Sequence, residues 1–264
     1  MSSESSIPQP IYSSENIKVA YQLDWSLTVF WRNPSWTDDW FKPLQQAVEQ
    51  DGIRLLKHRF STPEISLFLV STKPDVPPIS VPQRVKGRLQ YLLRDDVQQP
   101  FQRNYDLQSI GSTTREKLEN YLGSQLEHHP EPDRRIHWTL ADLQVVRPDL
   151  DLSRPRFTTH GRFSSNVHLV MVNEGRWRET CRSNVESVRE MLIRSATKRQ
   201  HLLKQIAILP DHIHLIFGTN VDETPLSIAL SYMNNVAFVY QMQPVLKHSC
   251  FIGTFGDYDL GAIH

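Results

Sequence analysis

The chain has 264 residues, long for one domain and comfortable for two, and its 39 % hydrophobic and 22 % charged residues describe a globular protein and exclude a disordered one. Its 29 Lys and Arg balance 29 Asp and Glu, so whole-chain charge offers no general attraction to nucleic acid, and any basic groove must be local. Two cysteines are too few for a disulfide framework and no apolar run is long enough for a bilayer, which points to a cytoplasmic protein with no membrane partner.

In chain order, residues 1–16 read as a disordered polar leader without a signal core. A first block, 17–129, opens with an alternating strand at 25–31. It continues with a helix at 38–49, a hairpin of 54–60 with 65–71, a helix at 81–93, a loop, and a last helix over 114–127. Residues 130–156, rich in Pro, Asp and Arg, read as a connector with room for one short helix or strand. A second block, 157–264, repeats the order: a strand at 167–172, a helix at 180–195, a hairpin of 202–209 with 212–218, and a helix at 227–242.

The two blocks align. PEISLFLVSTKPDVPPIS from Pro63 lies over PDHIHLIFGTNVDETPLS from Pro210 without a gap, pairing Glu64 with Asp211, Asp75 with Asp222, Pro78 with Pro225 and Ser80 with Ser227 at an offset of 147. After a two-residue deletion, the segment from Tyr105 lies over that from Cys250 at an offset of 145, pairing Ser109 with Thr254 and Gly111 with Gly256. Internal repetition with this element order predicts an α+β fold of two ferredoxin-like antiparallel sheet domains in tandem, packed as an intrachain pseudo-dimer. Joining the sheets edge to edge would protect their edge strands.

Two local patterns carry chemistry. In the strand Pro210-Asp211-His212-Ile213-His214, alternation puts both imidazoles on one face, as two ligands to a divalent cation require. By itself, such a triplet is more often a pair of surface histidines on a half-exposed strand. On the last helix of the first block, Tyr121 and Gln125 are four residues apart and share a face, so a phenol and an amide oxygen can meet one phosphate; the bland alternative is a packing tyrosine beside a solvated glutamine. Trp31, Trp36 and Trp40 read as core or interface anchors, and His128, His129 and His137 as a solvated cluster near the connector. Local basic groups that could meet a nucleic acid are Arg84, Lys86, Arg88 and Arg94, and Arg194, Lys198 and Arg199, although solvated helix faces look the same.

The P-D-H-I-H-L strand, the Ser-Ile-Gly and Thr-Phe-Gly turns and a helix bearing Tyr-x-x-x-Gln together resemble the HUH single-tyrosine transposases of the insertion-sequence 200/605 and REP-associated types, over most of both blocks. The resemblance implies a single-stranded or hairpin DNA partner and a nucleoid-associated location. It also implies Mg²⁺ or Mn²⁺ held by His212, His214 and Gln125, and Tyr121 as the nucleophile that forms a 5′-phosphotyrosine link and frees a 3′-OH.

Neither block has the whole set. The histidine positions are Ile65 and Leu67 in the first, and the second stops at His264, opposite Glu119, short of any counterpart of Tyr121; Tyr258 lies over Thr113 instead. The losses are complementary, which predicts one composite site with Tyr121 and Gln125 from the first block and His212 and His214 from the second. The alternatives are a catalytically inactive nucleic-acid-binding remnant and a regulatory protein.

Overall fold

The structure, a computed structural model, describes residues 9–35, 37, 39–129 and 131–257; the readings made for Asp38, Trp36, Tyr258 and His264 lie outside the described residues. The first half contains β1 (Lys18–Gln22), β2 (Asp24–Trp31), α1 (Phe41–Glu49), β3 (Ile53–Thr62), β4 (Ile65–Thr72), α2 (Ser80–Leu92), β5 (Phe101–Ile110), α3 (Arg115–Gly123) and α4 (Gln125–His128). Then come α5 (Arg134–Leu143), β6 (Val145–Val146), β7 (Arg156–Phe157), β8 (Gly161–Ser164) and β9 (Asn166–Asn173). The chain closes with α6 (Arg182–Lys198), β10 (Leu202–Leu209), β11 (His212–Gly218), α7 (Pro225–Val239) and β12 (Leu246–Thr254).

These elements build two six-stranded sheets, ordered β3-β4-β2-β5-β8-β7 and β1-β12-β9-β11-β10-β6. Four neighbouring strands of each, β3-β4-β2-β5 and β12-β9-β11-β10, are antiparallel and follow the βαββαβ course of a ferredoxin-like domain. Helices cover one face of each sheet: Leu44 and Val48 of α1 and Val81, Val85 and Leu89 of α2 pack on Trp25, Leu27 and Val29. In the second half Val185, Val188 and Leu192 of α6 and Ile228 and Met233 of α7 pack on Ile213, Leu215 and Phe217. Local chemistry fixes the helix starts: Thr224 Oγ1 accepts from Ser227 N (3.0 Å) with Pro225 in the first turn, and Thr114 caps α3 in the same way.

The pairing registers of the sheets coincide. An offset of 142 carries Asp24 onto Asn166, 147 carries Ser71 onto Gly218 and 145 carries Ile110 to Phe255; the Asp24↔Ser71 pair thus becomes Asn166↔Gly218, and Val29↔Tyr105 becomes Met171↔Cys250. Ahead of the strands expected at 25–31 and 167–172 the chain forms a further short strand in each half, ending at Gln22 and at Ser164, at corresponding places. Each of these short strands crosses to the other half: β1 pairs parallel with β12, and β8 parallel with β5. The sheets are therefore not joined edge to edge, as expected from sequence. Each lends the other a strand, which shields the same edges by a different route. Divisions at 129 and 157 accordingly do not separate the two sheets.

Two further expectations are corrected. Part of the supposed leader is ordered: Tyr12 is fully buried, its hydroxyl donates to Leu246 O and accepts from Leu246 N (2.8 Å each), and its backbone bonds the Asn234 amide. Tyr12→Ala is expected to lower the unfolding free energy by about 3–5 kcal/mol, as large-to-small core changes do, in a denaturant titration; a fall under about 1 kcal/mol would mean the segment contributes no core. The connector holds α5, whose Leu140 and Leu143 join the second core, and β6, which edges β10.

At the junction the halves meet through a reciprocal pair of bonds. Ser109 Oγ donates to Phe255 O (2.7 Å) and Thr254 Oγ1 to Ile110 O (2.6 Å). The same hydroxyls accept from Asn166 N (3.0 Å) and Asp24 N (2.8 Å). Beside them, Gly111 and Gly256 each lie against the other half's backbone, so closely that a Cβ on either would fall 2.1 Å from a carbonyl oxygen.

Candidate active site

The helix bearing Tyr121 packs on the far half's sheet. Leu118 and Leu122 of α3 bury against Ala207, Leu209 and Ile216, on the face opposite α6 and α7, and Lys204 Nζ approaches Glu119 Oε2 (3.8 Å). Alternation along β11 turns Ile213 and Leu215 into the helix-covered core, so His212 and His214 face α3. The Tyr121 ring meets the His214 ring edge-on, centroids 6.1 Å apart. The helix expected at 114–127 breaks at Ser124 into α3 and α4, yet Gln125 stays one turn from Tyr121, its Nε2 donating to Tyr121 O (3.2 Å).

One turn beyond Gln125 is His129, whose amide donates to Gln125 O (3.0 Å) and whose ring stands 5.7 Å from that of His212. Gln125 thus lies between a residue touching His214 and one touching His212. It is 1 % exposed, and its Oε1 is buried with no hydrogen-bond partner among the described residues. A buried amide oxygen without a partner costs about 1–3 kcal/mol, an expense that a bound cation would remove.

Both histidines have one ring nitrogen engaged. His212 Nδ1 donates to Asp211 Oδ1 (2.7 Å) and His214 Nδ1 lies 3.0 Å from His168 Nε2, with those two rings stacked at 5.2 Å. In each case no hydrogen bond to Nε2 is found among the described residues, the arrangement outer partners impose on metal-binding imidazoles. Burial pushes His168 down to about 4, and burial followed by the neighbouring imidazoles His168, His212 and His129 pushes His214 down to about 3; both are neutral near pH 7, the form that binds metal. Burial raises the Asp211 carboxyl, but hydrogen bonds from His212 and Arg176 outweigh it and hold the group below the ordinary carboxylate range.

Among the described residues no group of three or more His, Cys, Asp or Glu is arranged to hold a metal. A third protein donor would have to be of another type, and the free Gln125 oxygen is one. Tyr121 is 47 % exposed, so its side chain is partly open to solvent.

Sequence reasoning missed three members of this cluster. His168 is a lone histidine on a strand and His129 had been grouped with solvated residues; only the pairing His168↔Ile216 and the docking of α4 bring them in. Asp211 was noted as a repeat match, and its place one residue before His212 was the available signal. The basic candidates lie elsewhere. Arg84 and Arg88 pair with Asp51, Lys86 donates to the carbonyls of Gln102, Arg103 and Asn104, and Arg94 pairs with Asp95 and stacks on Tyr91. Arg199 pairs with Glu223, and Arg194 and Lys198 are exposed on α6, across the sheet from the histidines. Trp31 and Trp40 are buried in the first core, as expected.

No protein-family model matches the chain, and no curated protein matches it. Solved structures do. A REP-associated tyrosine transposase bound to a REP hairpin aligns with 10 % identity and a TM-score of 0.32 over 36 % of this chain and 58 % of that one. A transposase-like protein from Deinococcus radiodurans R1 aligns with 16 % identity and a TM-score of 0.29 over 40 % and 92 %. The regulatory subunit of aspartate kinase from Thermus thermophilus aligns with 10 % identity and a TM-score of 0.21 over 84 % and 93 %. The match spans under two thirds of the first of these proteins. No helix among the described residues is long and apolar enough to cross a membrane.

Proposed function

We propose that the chain is a tandem duplication of an HUH-type domain that cleaves and rejoins single-stranded DNA at one composite site. The observation that carries this reading is the contact of Tyr121, from the first half, with His214, from the second. Mg²⁺ or Mn²⁺ would be held by His212 Nε2, His214 Nε2 and Gln125 Oε1, and when bound it supplies charge stabilisation to the scissile phosphate. The Tyr121 oxygen attacks phosphorus, its proton passing to water on the ring's exposed side. An O–P bond forms to Tyr121 as the bond from phosphorus to O3′ breaks, and O3′ takes a proton from water to leave a free 3′-OH. Attack by a 3′-OH on the 5′-phosphotyrosine reverses these steps and rejoins the strand. Asp211 and His168 keep the two imidazoles oriented throughout.

Ile65 and Leu67 in the first sheet favour one alternative, a remnant that binds nucleic acid without cutting it. The experiment that separates the readings is incubation with a single-stranded oligonucleotide in Mn²⁺ and denaturing electrophoresis: a covalent protein–DNA adduct is expected, and binding without adduct would support the remnant. Gln125→Leu separates ligand from scaffold. Mn²⁺ affinity read by electron paramagnetic resonance is expected to fall at least about tenfold, while unfolding free energy falls by no more than about 1 kcal/mol because a partnerless oxygen is removed. Unchanged Mn²⁺ binding would take Gln125 out of the site.

A further inference from the structure

We propose that the outer face of the first sheet is a second nucleic-acid site, one that grips unpaired bases. The cross-strand row that carries His214 in the second sheet runs His214, Val170, Phe251, Ala20. Its register equivalent in the first sheet runs Leu67, Thr28, Asp106, Arg162 and continues to Phe157 on β7. These side chains lie on the face away from α1 and α2, since Leu27, Val29, Tyr105, Leu107 and Phe163 between them belong to the core.

A cleft of about 950 Å³ opens over the Asp106, Arg162 and Phe157 end of this row, lined in part also by Phe30, Glu64 and Arg103, a volume within the range of small-molecule sites. Phe157 is 75 % exposed, and its ring meets no other aromatic ring among the described residues, which leaves a face free for stacking. Arg103 is exposed at the mouth, and Arg162 lies over the floor, paired with Asp106 Oδ2. Asp106 Oδ1 is buried beneath the floor and accepts no hydrogen bond among the described residues. A βαββαβ sheet face carrying aromatic side chains is a platform on which unpaired bases stack, and arginines beside it track the phosphates. Positive groups and an exposed stacking ring in one cleft fit a single strand of unpaired bases. In this division the half whose sheet lacks the paired histidines holds the strand, and the other half supplies that pair for cutting.

The choice of ligand rests on the nucleic-acid reading above, but the test does not need cleavage. Binding of fluorescein-labelled oligo(dC) of about ten nucleotides, in EDTA, is measured by anisotropy for the Tyr121→Phe chain and for that chain carrying Phe157→Ala or Arg103→Ala. Both replaced side chains are exposed, so folding is retained, as circular dichroism checks. Each is expected to weaken binding by roughly five- to a hundredfold, the span of losing one stacked base, and the single strand is expected to bind more tightly than duplex. Affinity within about twofold of the parent for Phe157→Ala, or equal affinity for single strand and duplex, overturns the proposal, since charge alone would explain such binding. If these losses appear while the wild-type chain forms no adduct, the cleft stands and the nuclease reading falls; adduct formation with unaffected cleft variants gives the reverse.

Discussion

Tyr121→Phe is expected to lower covalent adduct formation on single-stranded DNA by at least about a thousandfold, to background, because the phenyl ring keeps the contact with His214 but offers no oxygen to phosphorus. The fold should be untouched: the Tyr121 hydroxyl makes no hydrogen bond among those found in the described residues, while its backbone carbonyl still holds Gln125 and Ser124. An equimolar mixture of this variant with His214→Ala is expected to remain inactive, since each chain would lack one part of its own site. Adduct formed by the mixture would show that the tyrosine helix serves a neighbouring chain instead. Retention of adduct by Tyr121→Phe alone would remove the residue from the chemistry.

The second large effect is structural and reaches the site from a distance. Gly111 and Gly256 sit where the halves cross, and a β-carbon on Gly111 would lie 2.1 Å from Thr254 O. Backbone cannot yield as a flexible side chain can, so Gly111→Val is expected to cost about 3 kcal/mol or more and to break the reciprocal bonds of Ser109 and Thr254. Because Tyr121 reaches His214 only while the halves stay in register, adduct yield should fall with it, even where circular dichroism shows that helices persist. Wild-type stability and yield in Gly111→Val would mean the junction does not set the register.

How much of this was legible in sequence follows from which signals are local. The β10–β11 hairpin was readable to its ends because apolar alternation and the Pro210-Asp211 turn are contiguous. Strands β5 and β12 were read as loops: FQRNYDLQSI and LKHSCFIGT mix polar and apolar residues without clean alternation, and both pair with irregular register. Their outer neighbours β8 and β1 arrive from the opposite half, which no short-range pattern encodes. In the candidate site, Tyr121, Gln125, His212 and His214 were singled out by the resemblance to the HUH transposases, since their spacing alone fits surface histidines and a packing tyrosine equally well. His168 and His129 were not, since a single histidine gains meaning only from what faces it. The partners of the basic residues were hidden for a related reason: Asp51 pairs with both Arg84 and Arg88, and Glu223 with Arg199, across gaps in sequence. Asp106, with an unpartnered buried oxygen, gave no sequence signal at all.

The most direct measurement is peptide mapping by mass spectrometry of the protein after reaction with single-stranded DNA in Mn²⁺, for the wild-type chain and for His214→Ala. A nucleotide attached to the Tyr121 peptide of the wild-type chain and absent from His214→Ala is the predicted result, because it ties a nucleophile from one half to a histidine from the other. A nucleotide on any other tyrosine, or on Tyr121 regardless of His214, would contradict a composite site.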